Sequence, residues 1–222
     1  MTDLEARIDR LESLDAIRQL VSKYALSLDM RDVDAHVNLF AEDIRVSRDE
    51  VGRPALKIWL DAMMRDQFTG TSHHIGNHII EFDDSDHAHG VVYSKNEHET
   101  GDEWVIMQMM YWDNYERVDG EWYFRRRLPC YWYAADLNKP PIGENKMRWP
   151  DREAYEGAYH ELFPSWDAFW KNPPKDGVTP EVALPAPREE FLKTMRAGHP
   201  DPKIKIRELQ YYSTPVFVEE RL

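Results

Sequence analysis

The sequence predicts an α+β protein in which long helices pack against a curved antiparallel sheet, and three observations carry that prediction. Apolar residues recur at helical spacing from Leu4 to Leu28, and four strand-like stretches follow one another from Thr71 to Ala134. Asp119-Gly120, between two aromatic-rich stretches, is the strongest hairpin signal in the chain.

The opening helix is marked by Leu4, Ile8, Leu11, Leu14, Ile17, Leu20, Val21, Tyr24 and Leu28, spaced by threes and fours as an amphipathic helix requires. Asp32 can cap a second, short helix carrying Val33, Val37 and Phe40, and the AEDIRVS segment after it reads as a brief strand. Gly52 and Pro54 introduce a third helix with Leu56, Trp59, Leu60, Met63 and Met64 on its apolar face. From Thr71 the texture alternates: TSHHIGNHIIEFD, HAHGVVYSKNEHET, EWVIMQMMYWDNYERV and EWYFRRRLPCYWYA are separated by DDSD, GD and DG turns, as in an antiparallel meander. A curved sheet wrapped over a long helix leaves a cavity at its wide end, which is where function is to be sought.

Residues 1–137 form the expected domain. After Leu137 the composition shifts, with twelve of the fourteen prolines from Pro140 onward, so residues 138–222 read as a Pro- and aromatic-rich extension packing on the core or on a neighbouring subunit. Within it PDREAYEGAYHELFPSWDAFW and PREEFLKTMRA look helical, and KIKIRELQYYSTPVFVEE reads as a strand or an extended arm.

A net charge of −13 with no basic tract disfavours nucleic acid and anionic membranes as partners, because both would repel such a surface at long range. A small hydrophobic or aromatic ligand is easier to accommodate. Cys130 is the only cysteine, which excludes an intramolecular disulfide and fits a reducing, cytoplasmic setting. The start MTDLEARIDRLE alternates charge with Leu and Ile and lacks the pattern of a signal peptide.

Asp29 lies where the run LSLDMRD ends the first helix, so it can point toward the sheet; the plainer reading is a cap or a pair with Arg31. Tyr24, five residues earlier and roughly 140° away around a regular helix, meets Asp29 only if the helix ends between them, and is otherwise a core tyrosine. Alternation puts His73 and His74 on opposite strand faces, so one can face the interior and, held by a carboxylate, act as a base; the plainer reading is a structural histidine. His78, His87, His89 and His98 form no HExxH and have no cysteine pair beside them, so they read as surface or structural rather than as a metal site. In EWYFRRRLPC, alternation places Trp122, Phe124 and Arg126 on one face and Arg125 and Arg127 on the other. An Arg among aromatics is costly to bury unless it meets a carboxylate or a developing oxyanion. Met107, Met109 and Tyr111 share a strand face that lines either a cavity or the core. No GxGxxG, Walker loop or GxSxG occurs, so nucleotide cofactors and serine-hydrolase chemistry lack support, and no cofactor is expected.

Together, YALSLDMRD, TSHHIGNHIIEF and YERVDGEWYFRRR resemble the SnoaL-like branch of the NTF2-like superfamily over roughly residues 5 to 135. That branch includes scytalone dehydratase, bile-acid 7α-dehydratase, lindane dehydrochlorinase and lyases that deformylate lignin-derived diarylpropanes. The resemblance implies a cone-shaped α+β barrel and a cofactor-independent lyase, with Asp29 orienting His73, His73 as base, and Tyr24 or Arg126 assisting the leaving group or oxyanion. His74, Asn77, Met107, Met109, Tyr111 and Trp59 are the expected substrate-binding residues, and a homodimer or homotrimer is the expected assembly. A hydroxylated aromatic, of lignin diarylpropane-diol type, is the expected substrate. A ketosteroid-isomerase-like isomerase and a non-catalytic binding protein are the competing expectations.

Overall fold

A computed structural model describes residues 2–142, 164–171 and 191–192. The first helix, α1, runs Asp3–Asp29 from a capping box in which Thr2 and Glu5 satisfy each other's backbone N–H groups. Its apolar stripe is buried only in the second half: Ile17, Leu20, Val21 and Leu28 are in the core, whereas Leu4, Ile8 and Leu11 are exposed. The sequence pattern treats the stripe as one face, but the N-terminal part meets the sheet through polar contacts instead, Asp9 and Ser13 with Arg117 and Arg10 with the Phe82 ring. The helix closes in a Schellman motif, with Asp32 N–H donating to the Ser27 carbonyl and Arg31 N–H to that of Leu28. Arg31 takes the left-handed position there, at φ 60°.

Asp32 caps the short α2 (Val33–Val37) through Ala35 N–H. AEDIRVS does not form the expected strand. Phe40 makes one isolated bridge to Phe124 and Arg45 another to Val51, because the segment turns back on itself rather than pairing along its length. Gly52, at φ 97°, precedes α3 (Arg53–Gln67), whose Leu56, Leu60, Met63 and Met64 are buried.

Four long strands, β1 (Gly70–Phe82), β2 (His87–Glu99), β3 (Trp104–Val118) and β4 (Glu121–Asp136), pair antiparallel in the order β1-β2-β3-β4. Asp119 and Gly120 both have positive φ, the geometry a two-residue hairpin requires. Register shifts fall between Ile75 and His78, between Gln108 and Met109, and between Asn114 and Tyr115. Such bulges curve a sheet and reverse which residues of a strand face inward.

The inner face of the curved sheet and the three helices share one core, in which Ile17, Val21, Phe40, Leu60, Val92, Met107, Tyr115 and Phe124 are all buried. The outer face carries a second apolar cluster of Val91, Met110, Trp112, Leu128 and Cys130, closed by Leu192. Leu192 also donates its backbone N–H to the Glu81 carboxylate at 2.9 Å, so this piece of the extension lies on the back of the sheet. A further helix, α4 (Pro164–Lys171), covers the end of one expected helical segment. The remaining expectations for the extension fall on residues 143–163, 172–190 and 193–222, outside the described residues. No described helix is long and apolar enough to cross a membrane.

Candidate active site

Helix α1 ends where β1 begins its inward-facing course, and the two meet at Asp29 and His73. His73 Nδ1 lies 2.6 Å from Asp29 Oδ1, and the backbone N–H of His73 donates to Oδ2 at 2.8 Å. The Thr71 hydroxyl, two residues earlier on the same strand face, donates to Oδ1 at 2.9 Å. Both side chains are withdrawn from solvent, His73 to 4% exposure and Asp29 to 16%. Burial pushes the Asp29 carboxyl up, but the hydrogen bonds and charge of His73, with the Thr71 hydroxyl, more than reverse this and leave it below the ordinary carboxylate range. An anionic Asp29 holds a proton on His73 Nδ1 and leaves Nε2, which has no hydrogen-bond partner among the described residues, as the basic atom.

Around this pair stands a ring of aromatic and polar groups. Tyr24 meets His73 edge-on with ring centroids 6.3 Å apart, and lies against His36 at 4.4 Å, Tyr111 at 5.8 Å and Phe124 at 5.7 Å. Burial raises the Tyr24 phenol above its usual value, with the Arg127 charge opposing it, so Tyr24 is a neutral proton donor near pH 7. Asn96 donates to the Tyr111 hydroxyl at 3.0 Å. His98 is 2% exposed and sets its ring edge-on to His73 at 5.8 Å.

The expected sheet arginine is displaced by one residue. Arg127, not Arg126, faces the interior: its guanidinium makes two hydrogen bonds to Asp113, at 2.9 and 2.7 Å, and sits over the rings of Tyr24 and Tyr111, each at 4.1 Å, and of Phe124 at 4.4 Å. The cause is a bulge. Tyr115 pairs with Phe124 and Asn114 with Arg126, so Arg125 is the extra residue, and strict alternation carried past it gives the wrong face. Burial opposes the Arg127 charge, but Asp113 outweighs it and raises its pKa, so the guanidinium stays charged. Among the described residues its Nη1 makes no hydrogen bond within the usual geometric limits. On the far side of Asp113, Tyr115 donates to Oδ2 at 2.8 Å and meets His78 Nε2 at 3.1 Å.

Of the expected substrate-binding residues, Met107, Met109 and Tyr111 face inward and are buried, and Trp59 packs on the core from α3, its indole N–H without a partner among the described residues. His74 and Asn77 do not join them. His74 is exposed on the opposite face of β1, beside Ser72, and Asn77 is exposed at the bulge after Ile75.

Five inward residues were not placed in the site by the sequence reading: His36, His98, Asp113, Tyr115 and His78. His36 follows Val33 by three residues and precedes Phe40 by four, a spacing that marks the apolar face of α2, and its Nδ1 meets the Ser27 hydroxyl at 3.0 Å. His98 continues the alternation of Val92, Ser94 and Asn96 along β2. Asp113 continues Met109 and Tyr111, and Tyr115 follows it. His78 lies past the β1 bulge, which turns it inward. The histidines previously grouped together therefore separate: His98 and His78 belong to the interior, while His87 pairs with Asp84 and His89 with Asp83 at the β1–β2 turn. Among the described residues no three His, Cys, Asp or Glu side chains converge as metal ligands would.

A curved antiparallel meander that presses a strand-borne imidazole onto a helix-end carboxylate defines an NTF2-like α+β protein with an interior polar site. Residues 9–128 match the SnoaL-like domain, and the chain belongs to that family. No curated protein matches it. Among solved structures it is similar to a scytalone dehydratase candidate from Novosphingobium aromaticivorans DSM 12444, with 26% identity and a TM-score of 0.52 over 66% of this chain and 99% of that one. It is also similar to a type 2 hexachlorocyclohexane dehydrochlorinase LinA, with 21% identity and a TM-score of 0.55 over 66% and 99% of the two chains. A type 3 LinA from Novosphingobium barchaimii LL02 gives 21% identity and a TM-score of 0.55 over 60% and 96%. The LinA likenesses are of fold, and the fold is of the type that dehydratases and dehydrochlorinases use.

Proposed function

We propose that this protein is a cofactor-independent lyase in which the Asp29–His73 pair removes a proton from a hydrophobic, hydroxylated aromatic substrate. The observation that carries the reading is the withdrawn 2.6 Å contact between His73 Nδ1 and Asp29, which leaves Nε2 as a base on the inner face of the sheet. The arrangement is a base with its orienter, and Tyr24 and Arg127 supply the complementary donors. Arg127 takes the role the resemblance assigns to Arg126, because its charged guanidinium lies 4.1 Å over the Tyr24 ring, which in turn meets His73.

In a dehydration, His73 takes a proton from carbon, the C–H electrons form the alkene, and the neighbouring hydroxyl leaves as water with a proton from Tyr24, which His73 makes good. In a diarylpropane-1,3-diol, His73 takes the proton of the terminal hydroxyl instead. The C–C bond then breaks, formaldehyde departs, its bonding pair forms the alkene, and the benzylic hydroxyl leaves as water carrying that proton. The rings of Tyr111 and Phe124, packed 5.8 and 5.7 Å from Tyr24 in an apolar core that also holds Met107 and Met109, favour such an aryl substrate.

The test is incubation of purified protein with diarylpropane-1,3-diols, simpler benzylic alcohols and hydroxysteroids, followed by ultraviolet absorbance and product mass. A new conjugated alkene, with loss of water or of water plus formaldehyde, is the expected result. Isomerisation at constant mass would assign the protein to the isomerases, and recovery of every bound compound unchanged would make it a binding protein.

A further inference from the structure

We infer that Arg31 is a positioning residue for the Asp29–His73 pair, acting through the hydroxyl of Thr71; this rests on the reading of that pair as a catalytic base. Arg31 occupies the left-handed residue that closes α1, at φ 60°, a place where glycine is the ordinary choice and a side chain is strained. A glycine there would make the same backbone turn but could not reach the strand. The Arg31 guanidinium does, with Nη1 donating to the Leu28 carbonyl at 2.9 Å and to Thr71 Oγ1 at 2.7 Å.

The second of these bonds decides where the threonine proton goes. A hydroxyl has one proton to donate. With its oxygen already accepting from Arg31, Thr71 turns that proton onto Asp29 Oδ1, 2.9 Å away. The carboxylate is then held by three donors: the Thr71 hydroxyl and His73 Nδ1–H on Oδ1, and the His73 backbone N–H on Oδ2. Three donors leave it one orientation, which in turn fixes the imidazole plane and the direction of Nε2. Asp29 and Arg31 are thus linked across Thr71, and the helix end, the first strand and the base form one unit. Strain of this kind persists where the surroundings enforce it, and at such a site stability and activity respond in opposite directions.

The experiment compares Arg31→Asn and Arg31→Gly, which both accept the left-handed conformation, with Arg31→Lys, Thr71→Val and the Arg31→Asn/Thr71→Val double variant. Three quantities are read: the thermal midpoint, the downfield proton resonance of His73 Nδ1–H (assigned by its loss in His73→Ala), and kcat and KM on the diol that gives product. Arg31→Gly should keep its midpoint or gain up to a few degrees. In both Arg31→Asn and Arg31→Gly the Nδ1 resonance should shift and exchange faster with water, and kcat should fall about ten- to a hundredfold with KM little changed. Arg31→Lys should recover part of the loss, and the double variant should lose no more than Thr71→Val alone. An unaltered His73 resonance in Arg31→Asn, or losses that multiply in the double variant, would overturn the assignment. The resonance needs no substrate, so it decides the role of Arg31 even if no diol is turned over, whereas absence of turnover by the wild-type protein counts against the lyase alone.

Discussion

His73 grips Asp29 twice, through its ring nitrogen at 2.6 Å and through its own backbone N–H at 2.8 Å, so one residue engages both oxygens of the carboxylate. The ring cannot tilt away without also pulling on the strand. In the proposed mechanism His73→Ala removes the base and Asp29→Asn removes the charge that keeps the proton on Nδ1. Each should lower turnover about a hundred- to ten-thousandfold while the far-ultraviolet circular dichroism stays native. Near-wild-type rates in either variant would remove the pair from the mechanism.

Arg127 and Asp113 are the most deeply sealed ion pair among the described residues, at 2% and 0% side-chain exposure. Removing one partner leaves an uncompensated buried charge, which costs about 3–5 kcal/mol. Asp113→Ala should therefore shift the urea midpoint strongly downward, and Asp113→Leu combined with Arg127→Met should recover much of the loss. A midpoint unchanged by Asp113→Ala would mean that water reaches the guanidinium.

The bulge at Arg125 makes adjacent arginines unequal. Arg127→Gln should cost roughly a hundredfold or more in turnover, as loss of a donor to developing charge does, whereas Arg126→Gln should stay within a few-fold of wild type. Tyr24→Phe keeps the ring packing and deletes only the donor, so its fold should be native and its kcat reduced. Equal losses from Arg126 and Arg127 in steady-state assays would contradict the inward assignment.

His36 and His98 are held neutral: burial, aided by the nearby His73 and Arg127 or Arg31 charges, lowers each pKa from 6.5 to about 3. Between those values an unfolded chain binds a proton on each ring that the folded chain refuses, so stability falls as pH drops below 6.5 and the loss levels off near 3. At pH 5 the penalty is about 2 kcal/mol per histidine relative to neutral pH. The urea midpoint should therefore decline between pH 7 and 5, before carboxylates titrate, and His98→Gln should flatten that slope. A midpoint constant over this range would show that neither ring is shielded from water.

Much of this was legible in the chain. The C-terminal half of the α1 stripe, the Asp32 cap, the Gly52-Pro54 entry to α3 and the Asp119-Gly120 turn are local rules, satisfied within a few residues, and each appears where the sequence places it. The meeting of Asp29 with His73 came from the family resemblance, since the residues by themselves left Asp29 as a cap or a partner of Arg31 and left His73 and His74 as equal candidates for the inner face. The inward arginine was not legible, because an extra residue in β4 is created by the pairing with β3 and leaves no mark in EWYFRRRLPC. The same applies to His78, turned inward by the bulge in β1, and to the exposed Leu4, Ile8 and Leu11, whose periodicity matches that of the buried half of their helix.

The amino-acid sequence alone determined the order of the main helices and strands, because helix ends, turns and alternation depend on near neighbours, and its family resemblance singled out Asp29 and His73. Tertiary structure alone decided which arginine and which histidines accompany them, and that Arg31 reaches the carboxylate through Thr71. Those choices depend on register between strands and on the angle at which a helix end meets a sheet, and neither is encoded within any short stretch of chain.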